Sequence, residues 1–204
     1  MEKKIYSAMP GYRLNDYLLV ISPNEDLRNR INTVRKNFNE KYSPAMPLTG
    51  KPHMALVHFV TWSMMEEKVV NRFQHIAMGI TPFKIELKDF ASFPSHTIYI
   101  NVATKTPVQN LVKELKQVQK LMKADPDHDP HFIAEPFIPV ARKLVPWQYE
   151  KGWLEYAHSH FSGKIIADGM LLLKRPLGEK AYQVVKRFEF MNMPVTTRQG
   201  ELFF

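Results

Sequence analysis

One histidine stands at the start of an apolar, β-prone run, Lys51-Pro52-His53-Met54-Ala55-Leu56-Val57-His58-Phe59-Val60. Because side chains alternate between the faces of a strand, the pattern places His53, Ala55 and Val57 on one face and His58 on the other. An imidazole can take up or release a proton near neutral pH, so His53 is a candidate acid–base residue at a sheet edge or cleft. A structural histidine is the alternative, and the strand alone does not decide between them.

A second group of polar residues lies between Asp125 and His131, where three aspartates and two histidines alternate with prolines. The segment lacks the glycine and the glutamate that complete a calcium-binding loop, and its prolines indicate a stiff turn. We therefore predict no metal site here. The sequence also has no glycine-rich phosphate loop, serine elbow or zincin motif, and we predict no cofactor.

Composition bounds the class of protein. The chain has 204 residues, 45% of them apolar, which is enough for one domain or two intimately packed lobes. It has no cysteine, which excludes disulfides, thiolate zinc sites and cysteine nucleophiles. No run of 18 apolar residues and no signal peptide is present, so we expect a cytoplasmic protein without a membrane span. The net charge of +8 suits an anionic partner such as RNA or a phosphorylated molecule.

Hydrophobic periodicity predicts the elements that must position these residues. The first 15 residues are predicted to be a loosely attached arm and the segment from residue 192 an irregular tail. Ser22, Ser63 and Thr106 are predicted to cap helices, and 41–51 and 125–135 to be loops. The predicted strands are 16–22, 52–60, 83–90, 96–103, 136–145, 164–174 and 181–191, and the predicted helices are 24–38, 63–79, 107–122 and 146–157.

These elements repeat. After the first strand, the order helix, strand, helix, strand, strand occurs twice, with a period close to 84 residues. Such a period predicts a duplicated unit, covering approximately 24–103 and 107–191, within a single two-lobed domain. At this offset, the strand that begins at His53 is equivalent to the strand that begins at Phe137. The two strands should flank one central cleft.

In this duplicated frame the sequence resembles the two-histidine phosphoesterase superfamily, the 2′-5′ RNA ligases and cyclic phosphodiesterases. Each lobe of that family carries a histidine, any residue, a threonine or serine, and an apolar residue, often after a proline. Pro52-His53-Met54-Ala55-Leu56 resembles the first copy, and the segment from Pro136 to Leu144, with its Val140-Ala141-Arg142-Lys143-Leu144 ending, resembles the second. The resemblance covers roughly residues 16–191.

The resemblance implies an α+β fold with two pseudo-symmetric lobes, each an antiparallel sheet with two helices, flanking a central cleft. It also implies an incomplete motif. Ala55 stands at the first hydroxyl position, Phe137 at the second histidine and Pro139 at the second hydroxyl, so that only His53 is kept.

The family's reaction needs two imidazoles on opposite sides of phosphorus, one to take a proton from the nucleophile and one to protonate the leaving oxygen. Among substitutes for the missing imidazole, His131 is a candidate because it lies shortly before Phe137. Strand parity argues against His58 joining His53 and places Arg142 on the face opposite to Phe137.

We expect Lys51, Arg142 and Lys143 to rim the cleft and bind phosphate, and Tyr99 to line it. The leading hypothesis is a family member that acts on or binds 2′,3′-cyclic or 2′-5′ phosphodiesters of a nucleotide or RNA end, with weak or altered activity. The alternative is a non-catalytic member that binds nucleotide, RNA or protein, and the third hypothesis is a structural relative with a filled cleft. No DNA-specific motif is present, and the oligomeric state stays open.

Overall fold

The strands form two antiparallel sheets, and four α-helices pack on them. The computed structural model describes residues 11–48 and 50–193. In chain order the elements are β1 Leu14–Ile21, α1 Glu25–Tyr42, β2 Met54–Trp62, α2 Glu66–Gly79, β3 Phe83–Phe93, β4 Thr97–Val102, α3 Thr106–Leu115, β5 His131–Phe132, β6 Phe137–Ala141, α4 Pro146–Tyr156, β7 Ser162–Ala167, β8 Gly169–Pro176 and β9 Gln183–Glu189, with 3₁₀ turns at Ser63–Met65 and Lys116–Leu121.

The order of strands shows that the two halves of the chain are interleaved. Sheet A has the order β5-β2-β1-β8-β9, and sheet B has the order β6-β4-β3-β7. Strands β3 and β4 from the first half therefore pair with β7 and β6, whereas β8 and β9 from the second half join β1 and β2. Each sheet takes strands from both predicted repeats, so neither half can complete its sheet alone.

The helices cross between the halves in the same way. Helix α1, which links β1 to β2 of sheet A, packs with α4 on sheet B. Helices α2 and α3 pack on sheet A, α2 against β9 and α3 against β2. At the α1–α4 crossing, a Cβ atom on Gly152 would lie 2.9 Å from a ring carbon of Phe38. No helix in the described part of the chain is long and apolar enough to cross a bilayer.

Several predicted helix starts are wrong by a few residues. Asn24, not Ser22, caps α1, because its side-chain oxygen accepts a hydrogen bond from Leu27 N at 3.0 Å. Ser63 lies in the 3₁₀ turn before α2, and its hydroxyl donates to Arg13 O at 3.1 Å. Thr106 is the first residue of α3, which has no side-chain cap.

Several predicted strand and loop boundaries are also wrong. The predicted strand 164–174 is two strands in different sheets, β7 and β8, separated at Asp168. A Cβ atom on Gly169 would lie 2.5 Å from Phe188 O, so only glycine fits where the chain changes sheets. The predicted 125–135 loop contains β5, which pairs with β2. The predicted arm overlaps β1, which begins at Leu14, and residues 1–10 lie outside the described residues, as do 194–204 of the predicted tail.

A β-bulge interrupts each of the two strands that carry the motif positions. In β2, Ala55 and Val57 face consecutive residues of β1, Val20 and Leu19, which leaves Leu56 as the extra residue. In β6, Pro139 and Ala141 face consecutive residues of β4, which leaves Val140 as the extra residue. Both extra side chains are fully buried. Each bulge reverses the alternation of side chains for the rest of its strand.

Candidate functional site

A cleft of about 1010 Å³ lies between the two sheets. Sheet A contributes Leu18, Ala55, His58 and Arg175, with His53 immediately before β2. Sheet B contributes Phe93 and Phe137, followed by Arg142 just after β6. The segment from His131 to Glu135 closes part of the wall, and the remaining lining comes from Met46, Pro47, Leu48, Lys143 and Tyr182.

The two bulges decide which side chains enter the cleft. Beyond Leu56 the alternation of β2 reverses, so His58 lines the same cleft as His53 and Ala55. Beyond Val140, Arg142 likewise returns to the face of Phe137, and its guanidinium carbon lies 5.4 Å from the centre of that ring. Strand parity therefore gave the wrong face for His58 and Arg142, because the sequence alone does not show an extra residue in a strand.

His53 is held as a neutral proton acceptor. Its Nδ1 lies 2.9 Å from Lys51 O. Because a carbonyl only accepts, Nδ1 carries the hydrogen and Nε2 has the free lone pair. Partial burial of the ring lowers the pKa of His53. The hydrogen bond to the Lys51 carbonyl opposes this effect, and the positive charges of Arg35 and Arg142 add to it. At neutral pH the side chain can accept a proton.

Arg35 of α1 supports this part of the cleft from behind. It is 4% exposed, and it donates from Nε and Nη2 to Pro139 O at 2.9 and 2.8 Å and from Nη1 to Gly50 O at 2.9 Å. Burial, with the charge of Arg142, lowers its pKa to about 10, so it stays charged at neutral pH. Arg35 was not among the site residues predicted from the sequence. Its signal was a charged residue within the buried face of α1, between Ile31 and Phe38.

The motif position of the second lobe is aromatic. The ring of Phe137 lies 5.1 Å from those of both Phe93 and Tyr99, and the last two rings are 4.7 Å apart. Phe137 and Phe93 line the cleft. Tyr99, which we predicted to line the cleft, packs against these rings and is not among the lining residues. A phenyl ring cannot transfer a proton, so this wall offers stacking and apolar contact.

Two cationic side chains lie at this wall of the cleft. Within the described chain, neither Arg142 nor Lys143 has a carboxylate partner, although both line the cleft. Lys51 lies outside the lining; its carbonyl, not its exposed ammonium group, contacts the site. A guanidinium and an ammonium group without counter-ions form a natural site for phosphate.

A second polar cluster lines the cleft on sheet A. The buried carboxylate of Asp16 accepts from His58 Nε2 at 2.6 Å and from Arg175 Nε and Nη2 at 2.8 and 2.6 Å. Burial raises the pKa of Asp16, but these hydrogen bonds and charges outweigh it and hold the pKa below its usual value. Arg175 also stacks on Tyr182, 4.3 Å from the ring centre. His131, the candidate second catalytic residue, lies directly opposite His58 on β5.

No metal-binding group of three or more His, Cys, Asp or Glu side chains occurs among residues 11–48 and 50–193. The histidine and aspartate cluster near Asp125 is held by local pairs instead. His128 Nδ1 lies 2.7 Å from Asp125 Oδ1, and Lys123 Nζ lies 2.6 Å from Asp129 Oδ1.

Comparison with known proteins identifies the family. The model of the 2′-5′ RNA ligase superfamily matches residues 23–175, well over half of the chain. The chain belongs to this superfamily. No curated protein matches it. The superfamily assignment and the α+β fold with two antiparallel sheets confirm the resemblance seen in the sequence.

Several solved structures share the fold. The E. coli LigT structure with 3′-AMP has a TM-score of 0.62 at 13% identity, and the apo form has 0.61 at 14%; both alignments cover 87% of this chain and 98% of that one. The protein TT0787 of Thermus thermophilus has a TM-score of 0.56 at 15% identity, over 86% of this chain and 98% of its own. At such identities the likeness establishes the fold alone.

Proposed function

We propose that the cleft binds the phosphate of a nucleotide or RNA end, and that the protein turns over 2′,3′-cyclic or 2′-5′ phosphodiesters weakly at most. The observation that carries this proposal is the pair of cations Arg142 and Lys143, which have no carboxylate partner among residues 11–48 and 50–193, in the same cleft as neutral His53. The solved structures of LigT with 3′-AMP, with phosphate and with ATP are consistent with it.

The expected weakness of the chemistry follows from the residues present. His53 Nε2 can accept the proton of an attacking hydroxyl or water. Protonating the leaving oxygen needs an acid on the other side of phosphorus, and Phe137 stands at the equivalent place in the second lobe. Loss of one general acid–base group costs about 10²–10⁴-fold in rate. Without hydroxyls at Ala55 and Pro139, the phosphoryl oxygens also lose two hydrogen-bond donors.

His131 does not replace the missing acid in this proposal. It lies on β5 of sheet A, the sheet that also positions His53, whereas Phe137 lies on sheet B. The His58 ring is hydrogen-bonded to Asp16, and Asp16 pairs with Val60 of β2. The ring is therefore directed away from His53, which lies at the other end of β2. Neither imidazole faces His53 from the opposite sheet.

Binding of a labelled tetraribonucleotide at 50 and 200 mM salt tests the proposal. If two to three phosphates contact cations, the slope of log K against log salt should be about −1.4 to −2. Arg142→Gln should weaken binding and flatten the slope, whereas the exposed Lys36→Gln on α1 should leave both unchanged. Absence of binding by the wild type at 50 mM salt would contradict the proposal.

The second candidate function is binding without turnover, and the aromatic packing around Phe137 favours it. Turnover of a 2′,3′-cyclic nucleotide by the wild type, compared with His53→Ala, separates the two functions. Slow turnover that vanishes in His53→Ala supports an enzyme. If wild type and His53→Ala both show only the uncatalysed rate while the wild type still binds the nucleotide, the protein is a binding protein.

A further inference from the structure

The cleft has two chemically different ends. At one end, the cations Arg142 and Lys143 have no counter-ion within the described chain. At the other end, the cation Arg175 is neutralised by Asp16, a residue that is only 5% exposed. Both Nε and Nη2 of Arg175 donate to the same oxygen of Asp16. This second end therefore offers polar contacts with little net charge, and a second phosphate would gain little there.

Aromatic and imidazole rings border the second end. Arg175 lies 4.3 Å from the centre of the Tyr182 ring, which itself lines the cleft. His58 and His131 face each other across β2 and β5, and Phe132 follows. An electrically balanced wall with ring faces suits an aromatic heterocycle, because every nucleobase can stack on such rings.

Asp16 also fixes which hydrogen bond His58 can make. The pKa of Asp16 is lowered, so its carboxylate is ionised and can only accept. His58 Nε2 must therefore carry the hydrogen in their 2.6 Å contact. In the neutral imidazole, Nδ1 is then an acceptor, and no described side chain donates to it. The amino group at N6 of adenine or N4 of cytosine can donate to Nδ1, whereas the keto oxygen at the same position of hypoxanthine or uracil only accepts.

We propose that Tyr182 and the Asp16–His58 pair form a nucleobase subsite that favours amino-bearing bases. The inference rests on the proposed function: the phosphate lies at Arg142 and Lys143 and the base at Tyr182 and His58. A cleft of about 1010 Å³ is large enough for both parts of a nucleotide.

The experiment compares affinities for AMP, IMP and ribose 5-phosphate at pH 8 and low salt. Wild type should bind AMP more tightly than IMP. Tyr182→Leu should weaken AMP binding by about 5- to 150-fold, the range for one base stacked on one aromatic ring, and leave ribose 5-phosphate unchanged. Tyr182→Phe, which keeps the ring, is the matched control. His58→Phe should keep stacking but abolish the preference for AMP over IMP. Thermal unfolding of each variant checks that it is folded.

The outcomes separate the two claims. If wild type binds neither AMP nor ribose 5-phosphate, the proposed function fails. If Arg142→Gln weakens both ligands but Tyr182→Leu and His58→Phe bind AMP and IMP as wild type does, the base lies elsewhere and only the subsite is wrong. An equal loss of AMP and ribose 5-phosphate in Tyr182→Leu assigns Tyr182 a structural role and also overturns the subsite.

Discussion

At the scale of residues, the protonation of His53 links the electrostatics of the cleft to its chemistry. Burial and two nearby guanidinium groups, Arg35 and Arg142, oppose a positive charge on the ring. The pKa in the folded protein is therefore below the reference value of 6.5. At a pH between the folded and unfolded pKa values, the unfolded chain binds more protons than the folded protein. The free energy of unfolding therefore increases as the pH rises through this window and decreases as the pH falls through it.

We expect NMR titration of the His53 ring to give a midpoint below 6.5, the reference value. Arg142→Gln should raise this midpoint, because it removes a positive charge, while exposed Lys36→Gln should not. Urea unfolding at pH 5 and pH 8 gives the free energy of unfolding at each pH. The decrease from pH 8 to pH 5 should be smaller in His53→Gln than in the wild type. A midpoint at or above the reference value would contradict the assigned environment.

Restoring the family's residue types tests whether the cleft retains catalytic geometry. The triple variant Ala55→Thr, Phe137→His, Pro139→Thr supplies a second imidazole and two hydroxyls. It should hydrolyse a 2′,3′-cyclic nucleotide about 10²–10⁴-fold faster than wild type, the contribution of one general acid–base group. Adding His53→Ala to the triple variant should remove the gain. An unchanged rate in a folded triple variant would show that the two strands do not face a common phosphorus position.

At the scale of elements, Arg35 joins α1 to β6 and to the loop before β2. Proline is tolerated at position 139 because β6 is an edge strand. The Pro139 carbonyl nevertheless accepts two hydrogen bonds from Arg35, and Gly50 O accepts a third. Removing the guanidinium leaves these carbonyls without their donors, an effect partly offset because an unpaired charge is no longer buried.

Arg35→Met should therefore lower the free energy of unfolding by about 2 kcal/mol, given a cost of about 1–3 kcal/mol for an unsatisfied buried group. Lys36→Met on the same helix is the control, because the Lys36 side chain is 74% exposed. Its effect should stay within about 0.5 kcal/mol. Chemical denaturation measures both. Equal effects of the two substitutions would rule out a supporting role for Arg35.

The elements also show what the sequence could and could not predict. Local signals predicted all four helices and the strands around His53 and Phe137, because hydrophobic period and turn residues are properties of short segments. The bulges at Leu56 and Val140 depend on pairing with β1 and β4, which no local signal shows. His53 and Arg142, predicted from the sequence as site residues, both line the cleft, but strand parity placed Arg142 and His58 on the wrong faces. The sequence did not indicate Asp16 and Arg175, which form the cluster with His58.

At the scale of the whole molecule, strands from both halves of the chain share each sheet. β1 pairs with β8, and β3 pairs with β7. The duplication of 24–103 and 107–191 stays a prediction, but the bulges support it. His53, Ala55 and His58 each lie 84 residues before Phe137, Pro139 and Arg142, and the two extra residues have the same separation.

We expect a fragment of residues 1–104 to be unfolded on its own, because β1 lacks β8, and β3 and β4 lack β7 and β6. Far-UV circular dichroism and amide exchange measure this. The full chain should unfold in one cooperative transition, with coincident fluorescence and circular dichroism curves. Protected strand amides in the isolated fragment would contradict the role of interleaving. The complementary fragment 105–204, added in equal amount, should restore structure if the pairing is sufficient.

The paired bulges have a consequence for how the two motif strands can change in evolution. Counted from the motif histidine position, the first, third and sixth residues are His53, Ala55 and His58 in one copy and Phe137, Pro139 and Arg142 in the other. All of these except Pro139 line the cleft. Deleting the extra residue, Leu56 or Val140, would restore regular alternation and leave the same three positions on one face, so the bulge sets the spacing in sequence at which the third of them occurs. A pattern search limited to the first three residues of each motif copy therefore omits the sixth position. In the second copy that position is Arg142, a cation of the cleft with no counter-ion among the described residues.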